Sequence, residues 1–189
     1  MFSNLNFGSM DPSSIFTIIP FSTPREDSPQ GYGEGQVVTD MWVERCIAAN
    51  SAFNAEELVM CTPMPGPFPR PCMISSVREL LITDLKDVAI SITGFSGADL
   101  LHIERLIELL GAQFYNNLTR KRSLLLCPDQ SITGPKTIKA KEWGIPIVNV
   151  GWLWEVISKG DEEVDISTWC DNPFGKPLVH HSNFRARQV

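Results

Sequence analysis

The 189-residue sequence is poor in several features that would mark common functions. Positive charge is scarce: 16 Lys and Arg stand against 22 Asp and Glu, a net charge of −6. That balance argues against general attraction to nucleic acid or to an anionic membrane. No apolar run approaches the roughly 18 residues of a membrane span. The N-terminal MFSNLNFGSM lacks the charged-then-apolar order of a secretory signal, so an intracellular setting is expected. Cysteine is limited to Cys46, Cys61, Cys72, Cys127 and Cys170, with no CxxC pair. Neither a disulfide framework nor a zinc site follows, and reduced, mostly buried thiols are expected. His180 and His181 have no acidic or cysteine neighbours at ligand spacing, and no metal is expected. There is no GxGxxG, and Thr133-Gly-Pro-Lys-Thr137 falls short of a phosphate loop because Pro135 sits where an N–H donor is needed. With no nucleophile and base pair either, neither enzymatic activity nor a cofactor is expected.

What is present is 43% hydrophobic content, enough for a packed core. Residues 1–14 are polar and without period, and are expected to be disordered. Ile15 to Pro20 is a β-prone run, Phe21 to Gln36 a Pro- and Gly-containing loop, and Val37-Val38 a second short strand. Asp40 is placed to cap a helix over Met41 to Ala49, with Trp42, Cys46 and Ile47 on one face. Residues 15–60 therefore make half of an α/β unit, which cannot bury its sheet alone. Residues 61–87 begin with five prolines in the twelve residues from Cys61 to Cys72, a stiff extended linker. A short helix is expected within Ile74 to Asp87.

From Val88 the pattern is clearer. Val88, Ile90 and Ile92 alternate as in a strand, whereas Leu100, Ile103, Leu106, Ile107 and Leu110 recur at helical spacing up to Gly111. Strands follow at Gln113 to Asn116, Ser123 to Cys127 and Ile145 to Val148, with helices at Lys136 to Trp143 and Val150 to Lys159. The order β-α-β-β-α-β-α over 88–160 predicts a four-stranded, mostly parallel sheet flanked by helices, preceded by the incomplete unit. Residues 161–189 are expected to be a weakly structured tail. Val37-Val-Thr-Asp-Met-Trp42 and Ile147-Val-Asn-Val-Gly-Trp152 share a strand-then-Trp-helix layout, which makes them equivalent ends of two related units.

The first candidate site is Thr93-Gly94, where a strand delivers its C-terminal end to a helix N-terminus and backbone N–H groups gather. A glycine there lets an anion approach the backbone. From Asn117 to Lys141, Arg120, Lys121, Arg122, Lys136, Lys139 and Lys141 face one acid, Asp129, a local balance of +5 in an acidic chain. Such a patch steers an acidic ligand without making the whole protein sticky. His102 is expected to be packed or exposed rather than a ligand, and Glu104 and Glu108 to lie on a solvated helix face. Trp143, Trp152 and Trp154 are expected to be packing residues.

The runs ISITGF, LIELLGA, SLLLCP, KAKEWGIPIV and VGWLWEVI together resemble the BRCT family, and TDMWVERCI resembles the last helix of a preceding BRCT module. Within that family the layout looks like the middle tandem pair of fungal replication-initiation and checkpoint scaffolds related to the topoisomerase-II-binding protein. The resemblance implies a non-enzymatic, nuclear module that binds a phospho-Ser/Thr motif. In phosphate-binding members a Ser or Thr closing the first strand, the next residue's N–H and a lysine opening the second helix hold the phosphate. Here Thr93, Gly94 and Lys136 fill those places, with Phe95, Arg120, Lys121, Arg122 and Lys139 as possible peptide contacts. Phosphorylated checkpoint, replication and repair proteins are the implied partners, with phosphate-independent protein or DNA-backbone binding as the alternative.

Overall fold

The computed structural model describes residues 15–29, 36–64, 74–75, 85–129, 132–159 and 164–170. The expected disorder of 1–14, most of the Pro-rich run, and the tail from 171 lie outside these residues; of the short helix expected within Ile74 to Asp87, the middle lies outside them too, and the described ends are a strand at Ile74–Ser75 and a 3-10 turn at Leu85–Asp87.

The first unit contains β1 (Phe16–Ile19), β2 (Gln36–Thr39) and α1 (Asp40–Ala49). After β3 (Ile74–Ser75), the second unit runs β4 (Ala89–Ile92), α2 (Gly97–Leu109), β5 (Gln113–Tyr115), β6 (Leu124–Cys127), α3 (Pro135–Trp143), β7 (Ile147–Asn149) and α4 (Gly151–Lys159). Its four strands are all parallel, in the order β5-β4-β6-β7, as the sequence pattern predicts. β4 and β6 are central and buried at every position, which explains their near-continuous apolar sequences. Alternation along β6 divides the core. Leu124 and Leu126 join Ile103, Leu106, Trp152 and Val156 on one side, while Leu125 and Cys127 meet Ala140 and Ile145 on the side covered by α3.

The chain leaves β4 toward β5 and leaves β6 in the opposite direction, toward β7. The C-terminal ends of β4 and β6 therefore flank a topological switch point, the usual place for a ligand crevice in an open α/β sheet.

The half unit buries its sheet against the complete one. β1 and β2 pair in parallel, and Trp42 of α1 stacks on Phe16 with ring centroids 4.7 Å apart. Val38, Met41, Trp42 and Cys46 then share one continuous core with Ile103, Leu106, Trp152 and Val156. Ile47 does not join them and is 61% exposed. Five residues beyond Trp42, it has rotated off the buried face. Asp40 is the first helical residue rather than the cap. Its carboxylate accepts the N–H of Phe21 at 2.7 Å, tying the loop after β1 to the helix start, while Thr39 occupies the cap position.

Two expected connectors are partly inside the fold. Cys61 and Met64 are fully buried, and the Met64 carbonyl accepts the Arg25 N–H at 2.8 Å. The expected tail contributes β8 (Val164–Asp165), parallel to β3, followed by a 3-10 turn over Ile166–Trp169. Val164 and Ile166 are buried, and the Trp169 indole lies so close to Gly151 that an added Cβ would meet the ring at 2.1 Å. The Trp169 N–H donates to Glu155 at 2.6 Å. Burial pushes the Cys61 and Cys170 thiols up to about 12, in keeping with inert structural cysteines.

α1 and α2 also meet through a polar cluster. The His102 side chain is 0% exposed. Its Nδ1 accepts from Arg45 Nε at 3.0 Å, so the proton of the neutral ring sits on Nε2 and donates to Glu44 at 2.7 Å. Arg105 donates to both Glu44 oxygens at 3.1 Å, and Arg45 pairs with Asp99 at 2.6 Å. With two guanidinium groups and two carboxylates around it, a neutral imidazole balances the charge.

Burial pushes the His102 pKa below its ordinary 6.5, only partly opposed by the bond to Glu44. Desolvation pushes Glu44 up, but the bonds from His102 and Arg105 outweigh it and hold the carboxyl below 4.5. In both cases the unfolded chain takes up the proton first. Stability is therefore expected to fall as pH drops below about 6.5, from His102, and again below about 4.5, from Glu44. Thermal unfolding at pH 7.5, 6.5 and 5.5 checks the first step, which His102→Gln should flatten; a wild-type chain equally stable at all three would contradict it.

Candidate functional site

The residue after β4, Thr93, continues the ladder by donating its N–H to Leu126 O at 3.0 Å, between the ends of β4 and β6. Its side chain is half-buried, and among the described residues its hydroxyl has no hydrogen-bond partner. Gly94 follows at φ +83°, in the left-handed region. A Cβ there would also meet Ile132 Cδ1 at 2.5 Å and Pro128 Cδ at 3.0 Å. Glycine is thus required twice, by backbone conformation and by the loop that closes over it. Gly94→Ala is expected to cost about 1–2 kcal/mol from the backbone conformation alone, read from the urea midpoint; an unchanged midpoint would contradict the geometry.

Beyond Gly94 the exposed Ser96 caps α2 by position only, with no side-chain hydrogen bond to the helix start. Among the described residues, the first N–H groups of this thirteen-residue helix have no side-chain acceptor. Phe95 is half-buried and packs against the main core, so it supports the turn rather than projecting from it.

Lys136 reaches the same place from the opposite side of the sequence. It is the second residue of α3, a helix that starts at Pro135 and is closed locally by Thr137, whose hydroxyl bonds the Gly134 backbone at 2.8 and 2.9 Å. Its ammonium donates to Ile92 O at 2.8 Å and to Asn116 O at 2.6 Å. Ile92 immediately precedes Thr93, so the lysine sits at the C-terminal end of β4, at the switch point. An ammonium has three donors, and these two carbonyls leave one. Burial lowers the Lys136 pKa from its ordinary value, the mark of a cation held partly out of water.

The basic residues around it are less free than their sequence suggests. Arg122 stacks on Tyr115, its guanidinium carbon 3.6 Å from the ring centroid, and donates to Asn117 O at 3.1 Å. Arg120 lies 5.7 Å from the Trp143 ring centroid. Lys139 pairs with Glu142 at 2.7 Å, and Lys121, though exposed, has a partner of its own. The structure therefore gathers Thr93, Gly94 and Lys136 at one end of the sheet, with the other predicted contacts engaged around it. Among the described residues no group of three potential metal ligands occurs, and no helix is long and apolar enough to cross a membrane.

Residues 88–152, the span holding this arrangement, match the model of the twin BRCT domain. The chain belongs to the BRCT family. Over 159 residues it is 30% identical to the S-M checkpoint control protein rad4 of Schizosaccharomyces pombe, covering 82% of this chain and 22% of that protein. Over 68 residues it is 40% identical to PAX-interacting protein 1 of Danio rerio, covering 36% of this chain and 7% of that one. The chain thus spans about a fifth or less of the length of these curated relatives. The crystal structure of S. pombe Rad4 BRCT3,4 superposes with a TM-score of 0.67 at 26% identity, covering 86% of this chain and 81% of that one.

The likeness to that BRCT pair covers 86% of this chain and so extends over both units. Sequence reasoning missed the partners of Lys136 and the whole of the α1 to α2 cluster. The first are backbone carbonyls, which carry no side-chain signature. The second joins residues 54 to 61 positions apart, none of which stands out alone.

Proposed function

We propose that this chain is a non-enzymatic scaffold module that reads a phosphorylated Ser or Thr motif. The observation that carries the reading is the Lys136 ammonium, placed on the carbonyl of Ile92, the residue before Thr93, whose hydroxyl has no partner among the described residues. A phosphate brings roughly −1.5 to −2 charges and three acceptor oxygens. The Thr93 hydroxyl, the Gly94 N–H, the remaining Lys136 proton and the start of α2 are donors of the matching kind. The ligand enters between the ends of β4 and β6, and Arg120, Lys121, Arg122 and Lys139 give its surroundings a positive field.

Similarity to a checkpoint control protein and to a BRCT3,4 pair supports a nuclear setting in DNA replication initiation and checkpoint signalling. The partners are then phosphorylated checkpoint, replication or repair proteins. The first unit acts as part of a tandem partner, packed on the reading module through α1.

The test is a titration with paired peptides, phosphorylated and unphosphorylated, and with duplex DNA at two ionic strengths. Selective binding of the phosphorylated peptide is expected. Binding indifferent to the phosphate, with steep loss of DNA affinity at higher salt, would instead assign the basic patch to DNA backbone contact.

A further inference from the structure

A second surface lies away from the phosphate site. An open cleft of about 650 Å³ separates α4 from the first unit, within the size range of small-molecule pockets, roughly 300–1,000 Å³. Trp154 and Ser158 of α4 form one wall, and Leu58 and Val59, from the turn after α1, line it as well. Val37 of β2 also lines it.

The backbone of β2 is open at that point. Gln36 gives its N–H to Ile15 O at 3.0 Å, so Gln36 and Val38 turn their backbone groups toward β1. Val37 therefore turns its N–H and C=O the other way, and among the described residues nothing bonds to them. The equivalent edge of the second unit is closed, because Val148, the counterpart of Val38 in the repeated layout, bridges antiparallel to Cys170. Among the described residues, the chain thus covers this edge in the second unit and not in the first.

Charge narrows the occupant. Glu56 and Glu57 also line the cleft, are exposed, and have no cationic partner among the described residues. Arg25, the one cation among the described lining residues, already donates its Nε–H to Pro63 O at 3.2 Å. The described lining thus carries two carboxylates against one guanidinium, a negative excess beside the apolar wall of Leu58, Val59 and Trp154.

We infer that the outer edge of β2 accepts an extended, unphosphorylated peptide segment as an added strand. An apolar side chain seats among Leu58, Val59 and Trp154, and a neighbouring Lys or Arg faces Glu56 and Glu57. Main-chain hydrogen bonds supply the affinity in this mode, and the side-chain pocket and charge pairing supply the choice of sequence.

The test uses the full chain, labelled with ¹⁵N, and the capped peptide Ala-Lys-Val-Leu-Lys-Ala as probe. Two further peptides replace both lysines by glutamate or carry a backbone N-methyl group on the leucine. The expected result is a saturable shift of the Val37 amide and the Trp154 indole N–H by the lysine peptide. At least tenfold weaker binding is expected for both altered peptides, and for the lysine peptide with the double variant Glu56→Lys, Glu57→Lys. Both substituted positions are exposed, so the circular dichroism of the variant should match the parent. No shift, shifts centred elsewhere, equal binding of the glutamate peptide, or an indifferent double variant would each overturn the inference.

Discussion

Replacing Trp152 by alanine is expected to remove about 3–5 kcal/mol of stability, a large share of the roughly 5–15 kcal/mol that holds a domain folded. Trp152 is fully buried, lies in the first turn of α4, and belongs to the core that joins the two units. Its loss opens a cavity that touches both. The indole N–H is buried without a partner among the described residues, so the same side chain also carries a desolvated donor. Trp152→Phe deletes that donor with much less volume, and should lose markedly less than the alanine variant. Urea unfolding of the three proteins checks the order. An alanine variant within about 1 kcal/mol of the parent would mean that the core had collapsed around the gap.

The second large effect concerns Lys136. Lys136→Ala is expected to weaken phosphopeptide binding by about 10- to 100-fold, the equivalent of the 1.5–3 kcal/mol typical of a hydrogen bond to a charged group. It also frees the carbonyls of Ile92 and Asn116, so the loop from 116 to 122 should exchange its amide hydrogens faster. Lys136→Arg keeps the charge but replaces a point donor by a planar fork, and should retain more affinity than alanine while disturbing the carbonyl pair. Calorimetric titration of the three proteins with one phosphopeptide gives the ranking. An alanine variant that binds as tightly as the parent would remove Lys136 from the site.

Much of the second unit was legible because its signals are local. Val88 to Gly111 names a strand, a turn and an amphipathic helix within 24 residues, and Gly111 stops the helix at φ +85° as expected. Thr93 and Gly94 could be picked out because a strand end facing a helix start concentrates backbone donors wherever it occurs. The partners of the site were less legible. Arg120 and Arg122 read as free basic residues, yet each lies against an aromatic ring that the fold supplies from elsewhere, Trp143 and Tyr115.

The seam between the units was not legible at all. His102 reads as an ordinary helix residue, and its neutral, fully buried state follows only once Glu44 and Arg45 are placed beside it. The segment 164–170 looked like the start of a loose tail because its acidic approach hides two buried residues, Val164 and Ile166. The helix from Val150 to Lys159 was legible, but not Gly151 as the seat of Trp169. In each case the deciding contact is long in sequence, and the local pattern carries no trace of it.

In the proposed function, a phosphate is held at the end of β4 by donors drawn from two separate segments. The most direct measurement is a pair of ¹H–¹⁵N titrations of the labelled chain with one peptide, phosphorylated and unphosphorylated. Large, saturable shifts of the Thr93 and Gly94 amides with the phosphorylated peptide alone are predicted. Shifts of equal size with both peptides, or shifts that leave Thr93 and Gly94 unmoved, would contradict the account.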